Sequence, residues 1–237
     1  MEIVVHLGAP FRRIRGNTAE TQPIAFLVGQ LTECFVLQHA GPARVMGVRF
    51  MPAGTAPFLP FRLSDIQNEE VSLESLWGSA GRSLQDEVVN ALSDDDRIRI
   101  FEDFLLTRFG EPEFDPRIDM AVGLIQSNEG RCSVTEISEL LGWSPRHLER
   151  QFLSRIGIGP KTLVRTIRFQ TLLKLIRTSS PPEWSTLALD CGFFDQAHLI
   201  REFKRFSGES PQAFFSQDYA LHEFFATYDG MSDLSNT

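Results

Sequence analysis

The chain has 237 residues, with 23 basic and 31 acidic side chains and a formal charge of −8. That length fits two domains, each large enough to bury a core. No apolar run reaches the roughly 18 residues a membrane-spanning helix needs, and no basic segment followed by an apolar core marks a secretion signal. Cys34, Cys132 and Cys191 are odd in number and scattered, which excludes a disulfide framework and metal-ligand spacing. No cofactor or metal site is expected, and cytoplasm is the default compartment.

The first elements read as strands. Residues 2–7 and 44–51 are rich in β-branched and apolar residues and bounded by Gly and Pro. Between them, 24–28 and 32–38 are candidate strands. Residues 52–60 carry three prolines and a glycine and predict a loop. A helix is expected to start within 71–77, followed by helices over 83–92 and 95–109. In the last of these, Ile98, Phe101, Leu105 and Phe109 recur at helical spacing.

Gly110 to Pro116 holds two prolines and a glycine. It predicts a linker, here 111–116, between an N-terminal domain over 1–110 and a second domain over 117–216. Helices follow over 117–128, from the capping box Ser133-Val-Thr-Glu136, and from Ser144-Pro145, with an N-cap and Pro at the first helical position. A long helix is expected over 161–178, ending before Pro181-Pro182. Helices over 183–191 and 195–207 and a short one opened by Pro211 complete the domain. The tail 217–237 is acidic. The fold class is α+β: a mixed β-then-α N-terminal domain, then an all-α domain.

The second domain contains a degenerate repeat. Gly142 matches Gly192 with an offset of 50; after one inserted residue the offset is 51, pairing Leu148 with Leu199, Arg150 with Arg201, Phe152 with Phe203, Gly157 with Gly208 and Pro160 with Pro211. Each copy is a short apolar helix, a Gly-aromatic turn, a capping residue and an amphipathic helix with Arg on its outer face. That is the pattern of a helix-turn-helix, and the long helix between the copies makes two such motifs on one spacer. Leu148, Phe152 and Ile156 form the buried stripe of the first reading helix; Leu199, Phe203 and Phe206 form that of the second. Trp143, Phe193 and Trp77 are expected in cores, and Cys191, at the repeat position of Leu141, as a small buried hydrophobe.

The outer faces suit DNA. Arg146, Glu149 and Arg150 lie early in the first reading helix, where base edges are reached; Arg pairs with guanine and Glu with cytosine. Gln196, Ala197 and Arg201 lie on the second, suited to adenine, a thymine methyl and guanine. Asp195 reads as an N-cap. The expected phosphate contacts are Ser144, Arg168, His198 and Lys204. Arg165 and Arg168 divide evenly between solvated helix surface and phosphate contact, and Arg150 or Arg201 alone could instead serve folding. Charge supports the assignment: residues 1–114 hold 10 basic and 16 acidic residues, whereas 144–177 hold eight basic residues and one acid. Phosphates sense this local field within a Debye length of about 8 Å.

These residues resemble the DNA-binding domain of the AraC/XylS regulators over about 117–216. Gly192-Phe193, Asp195-Gln196, His198, Arg201, Phe203-Lys204 and Gly208 through Pro211 fall on the family's second signature; Ser144 through Leu148, Arg150, Phe152 and Gly157 fall on its first. Departures are Ser138 in place of the usual Ala, Leu199 in place of Phe, and Phe215 in place of Arg. The resemblance implies a seven-helix domain binding double-stranded promoter DNA, commonly as an activator touching RNA polymerase, with the base readers named above. The stretches 2–8, 47–54 and 73–77 are similar to a regulatory domain attached to some members, whose further N-terminal residues imply a shortened chain here. Homodimerisation through the helices at 83–109 and an unidentified small-molecule effector complete the expected partners. An enzyme is not expected: His6 and His39 are isolated, and no phosphate loop, nucleophile elbow or clustered Cys ligands occur. The alternative is a protein-interaction regulator or anti-activator that no longer binds DNA tightly.

Overall fold

The computed structural model describes residues 1–110, 115–178 and 184–216. Residues 111–114 of the expected linker 111–116, the Pro181-Pro182 break and the acidic tail lie outside the described residues; the linker's last two residues are the N-cap Asp115 and the first helical residue Pro116 of the next helix. The order is β-rich, then helical throughout, as the α+β reading requires.

Seven strands are described: β1 Glu2–His6, β2 Arg12–Arg15, β3 Thr18–Thr21, β4 Ala25–Val28, β5 Val36–Gln38, β6 Val45–Arg49 and β7 Glu70–Ser72. They form two antiparallel sheets, ordered β6-β1-β4-β7 and β3-β2-β5. Alternation puts Ile3, Val5, Ala25 and Leu27 on one face of the first sheet, in the N-terminal core. Val4, His6 and Phe26 take the other face, where the His6 ring meets Phe26 and Phe11. Sequence patterning missed β2, β3 and β7. Arg12-Arg-Ile-Arg15 and Thr18-Ala-Glu-Thr21 have no apolar alternation; Gly16, in the left-handed region at φ 57°, lets the chain reverse so that Arg15 pairs with Thr18.

Three helices close the N-terminal core: α1 Leu73–Trp77, α2 Ser79–Asn90 and α3 Asp94–Arg108. Leu73, Leu84, Val88 and Phe101 are buried there. The apolar face expected of α3 is corrected. Phe101 is buried, but Ile98 is 45% and Phe109 58% exposed. Arg97 takes an inward position instead, donating to the Val88 and Ala91 carbonyls at the end of α2 and pairing with Asp94. Capping these C-terminal carbonyls of α2 thus sets the rotation of α3.

The helical part comprises α4 Pro116–Ser127, α5 Val134–Leu141, α6 Pro145–Arg155, α7 Pro160–Thr178, α8 Trp184–Asp190, α9 Gln196–Ser207 and α10 Pro211–Ser216. Its apolar residues form two clusters. Ile118, Ile125, Ile137, Leu148, Phe152 and Ile156 hold α4–α6 to the start of α7. Leu172, Leu187, Cys191, Phe193, Leu199 and Phe203 hold the later part of α7 to α8–α10. The N-terminal part rests on this region: a β-carbon at Gly157 would come within 2.8 Å of Met1 and 3.0 Å of the Leu63 carbonyl.

Candidate nucleic-acid interface

Helix α5 begins with both limbs of the capping box: the Ser133 hydroxyl accepts from the Glu136 amide at 3.1 Å, and the Glu136 carboxylate accepts from the Ser133 amide at 2.7 Å. Gly142 ends it in the left-handed region at φ 63°, and Gly192 does the same after α8 at φ 74°. A β-carbon disfavours that conformation, so a glycine at this point of each copy makes the turn. The chain then enters the reading helices through N-caps. The Ser144 hydroxyl accepts from the His147 amide at 3.3 Å, and the Asp195 carboxylate from the His198 amide at 2.6 Å.

The buried stripes are as the spacing predicts. Leu148, Phe152, Leu199 and Phe203 are fully buried, and Ile156 is 1% exposed; Phe206 is only half-buried. Phe193 is buried, Trp143 packs against the first core, and Trp77 against the N-terminal one. Cys191 is buried, and burial pushes its thiol up to about 11. These stripes fix which faces of α6 and α9 remain outside.

Arg146, Glu149 and Arg150 are exposed on α6, and Gln196, Ala197, Arg201 and Lys204 on α9. Two details were not legible from spacing. Glu149 folds toward the start of α7, so close over Gly159 that a β-carbon there would come within 2.3 Å of its Oε1. A carboxylate is favoured near the N-terminal end of α7 by the unpaired amides and the helix dipole. Arg150 donates through Nη2 to His147 Nδ1 at 2.9 Å.

Because arginine only donates, His147 Nδ1 must accept. The Phe194 amide likewise donates to His198 Nδ1 at 3.3 Å. Both neutral rings therefore keep their proton on Nε2. The rings also sit alike, His147 at 4.7 Å from Trp143 and His198 at 5.5 Å from Phe193. His147 was missed by sequence reasoning, although the offset of 51 relates it to His198.

The basic residues of α7 behave differently from each other. Arg165 donates through Nε and Nη2 to both Glu202 oxygens at 2.5 and 2.8 Å, with side chains 17% and 16% exposed. This fork joins α7 to α9. Arg168 donates through Nε and Nη2 to the Gly130 carbonyl at 3.0 and 2.6 Å and lies 5.6 Å from the Phe193 ring. Burial holds its pKa below the ordinary arginine value. Arg168 is thus half-buried and joins the end of α4 to the second motif.

Ser138 is 3% exposed and its hydroxyl has no hydrogen-bond partner. A buried unsatisfied hydroxyl costs about 1–3 kcal/mol. Ser138→Ala is therefore expected to stabilise the chain by about 1 kcal/mol in urea unfolding; an equal loss would mean that the hydroxyl is satisfied. Among the described residues, no three His, Cys, Asp or Glu side chains gather as metal ligands, and no helix is long and apolar enough to cross a membrane.

Comparison with known proteins agrees with this geometry. A helix-turn-helix domain family model matches residues 126–217, and a domain of unknown function, DUF6597, matches residues 1–72. An uncharacterised HTH-type transcriptional regulator of Staphylococcus aureus is 32% identical over 91 residues, which are 38% of this chain and 12% of that protein. YbfI of Bacillus subtilis, also an uncharacterised HTH-type transcriptional regulator, is 32% identical over 89 residues, 37% of this chain and 32% of its own. The chain therefore spans a minor part of the length of these relatives. The structure of ToxT from Vibrio cholerae is similar with a TM-score of 0.51 at 16% identity, covering 90% of this chain and 88% of that one, a likeness of fold. The C-terminal part of the chain is accordingly an AraC-type helix-turn-helix domain, following an N-terminal domain of the DUF6597 family.

Proposed function

We propose that this chain is a sequence-specific DNA-binding transcription regulator whose helices α6 and α9 enter successive major grooves. The observation that carries the reading is the pair of exposed polar faces, Arg146/Glu149/Arg150 and Gln196/Ala197/Arg201, on two capped helices whose opposite faces are buried. Helix α7 has 19 residues, about 28 Å at 1.5 Å each. With the widths of the reading helices added, that suits grooves about 34 Å apart.

The phosphate set is Ser144, His198, Lys204 and, by repeat symmetry, His147. The Nε2–H of each histidine is the donor in question. Arg168 belongs to the same set: its Nε and Nη2 donate to the Gly130 carbonyl, which leaves Nη1 as the donor toward a phosphate. Glu149 acts in two ways, accepting from a cytosine amine or steadying the start of α7. Activation through RNA polymerase and pairing through exposed Ile98, Leu106 and Phe109 of the α3 region extend the same proposal, with cytoplasm as the compartment.

Binding to DNA selected from a random pool, measured over a salt series, tests the reading. A specific site with a steep salt dependence is expected; no specific site, or affinity independent of salt, overturns it. Within that site, Arg150→Ala is expected to lose about 1–3 kcal/mol at one base position. Unchanged base preference would reassign Arg150 to holding His147.

A further inference from the structure

The two motifs differ in spacing by one residue, and that residue is Phe194. Gly142 and Trp143 match Gly192 and Phe193 at an offset of 50, whereas the caps Ser144 and Asp195 match at 51. The insertion therefore falls between the core aromatic and the N-cap of α9. In the first motif Trp143 leads straight into the Ser144 cap, so a motif of this kind closes without the extra residue. We propose that Phe194 is a further specificity-determining residue of the second reader, its ring packing on the C5-methyl of a thymine at the edge of the major groove. This rests on the DNA reading above and adds an aromatic contact to it.

The position of Phe194 is fixed from both sides. Phe193 turns into the core and is 4% exposed, while its neighbour Phe194 is 85% exposed. The Phe194 amide donates to His198 Nδ1 at 3.3 Å, and the Asp195 carboxylate accepts from the His198 amide at 2.6 Å. Both bonds tie the inserted residue and the cap to the first turn of α9. Phe194 thus stands outside the protein immediately before Gln196 and Ala197, which are exposed as well. The N-terminal part of a recognition helix is the part that reaches base edges. A single exposed apolar side chain is ordinary on a protein surface; an inserted aromatic at the entrance of a reading helix has a surface to meet there.

The chemistry of the ring selects that surface. Phenylalanine carries neither charge nor a hydrogen-bonding group, so phosphates and the donor and acceptor edges of bases offer it nothing. The thymine methyl is the apolar feature of the major groove, and a phenyl ring suits it. The first reader has no counterpart, since its cap is followed by Pro145 and then by Arg146, Glu149 and Arg150. Phe194 and Ala197 on methyls, with Gln196 on adenine, make the second half-site selective for A·T pairs.

The test uses the full chain and the site selected from a random pool. Phe194→Ala, at a position 85% exposed, is expected to leave the Tm unchanged. Binding to that site should weaken by roughly tenfold. The salt slope should stay the same, because an uncharged ring releases no counterions; Lys204→Ala, by contrast, should lower it by about one. Replacing each thymine of the second half-site in turn by deoxyuridine removes one methyl at a time. At one position this should weaken binding by the native chain and cost Phe194→Ala nothing further. Equal binding by Phe194→Ala overturns the proposal and leaves the DNA reading standing. So does a deoxyuridine penalty that is the same for both chains at every position. A native chain with no specific site overturns both.

Discussion

Phe203→Ala is expected to cost about 3–5 kcal/mol, the usual range for emptying a buried aromatic site. Phe203 is fully buried, with its ring 5.3 to 5.9 Å from those of Phe169, Phe214 and Phe215. Because it belongs to the cluster of α8–α10 and the later part of α7, the damage should be local. Hydrogen exchange should accelerate over 184–216 while the α4–α6 amides keep their protection. On DNA, the contacts of α9 should be lost and those of α6 retained. Equal loss of protection over 116–158 would show that the two clusters unfold as one unit and would remove the basis for two separable readers.

Glu202→Ala should be nearly as damaging, at about 3 kcal/mol. It leaves the Arg165 guanidinium, whose side chain is 17% exposed, without its carboxylate. Removing one partner of a largely buried pair costs more than the pair contributes, because the remaining charge stays desolvated. The double variant Arg165→Met with Glu202→Leu should recover most of the loss, since apolar groups of similar volume need no partner. A urea-unfolding double-mutant cycle measures this. A single-variant loss within about 0.5 kcal/mol would mark the fork as an ordinary surface pair. The DNA prediction differs: with α9 no longer fixed to α7 by the fork, specificity at the second half-site should fall even where the fold survives.

The helical half of the chain was more legible than the β half, for a physical reason. Helix caps, turn glycines and a 3.6-residue apolar period are local, and the copies at 133–157 and 187–208 repeat them. So the Ser133 box, the Ser144 and Asp195 caps and the Leu148 and Phe203 stripes could be read from neighbours a few residues away. Strands β2, β3 and β7 are polar and short; they exist because partners elsewhere in the chain supply their hydrogen bonds. The apolar period of α3 misled for a similar reason, since the carbonyls at the end of α2 drew Arg97 inward in place of Ile98.

By itself the sequence determined that two capped helices bury one apolar stripe each, and hence which residues face outward: Arg146, Glu149 and Arg150 on one, Gln196, Ala197 and Arg201 on the other. Local periodicity suffices for that, because burial of one face leaves only the other. The tertiary structure decided what the long side chains do. Arg165 and Arg168 were indistinguishable as exposed or phosphate-bound; one is forked to Glu202, 37 residues away, and the other to the Gly130 carbonyl, 38 residues away. Glu149 lies over Gly159, and Arg13 meets Glu70 across 57 positions. An arginine or glutamate carries its charge on a flexible stem. Its partner is chosen by whatever the fold brings within reach, and spacing along the chain does not encode that choice.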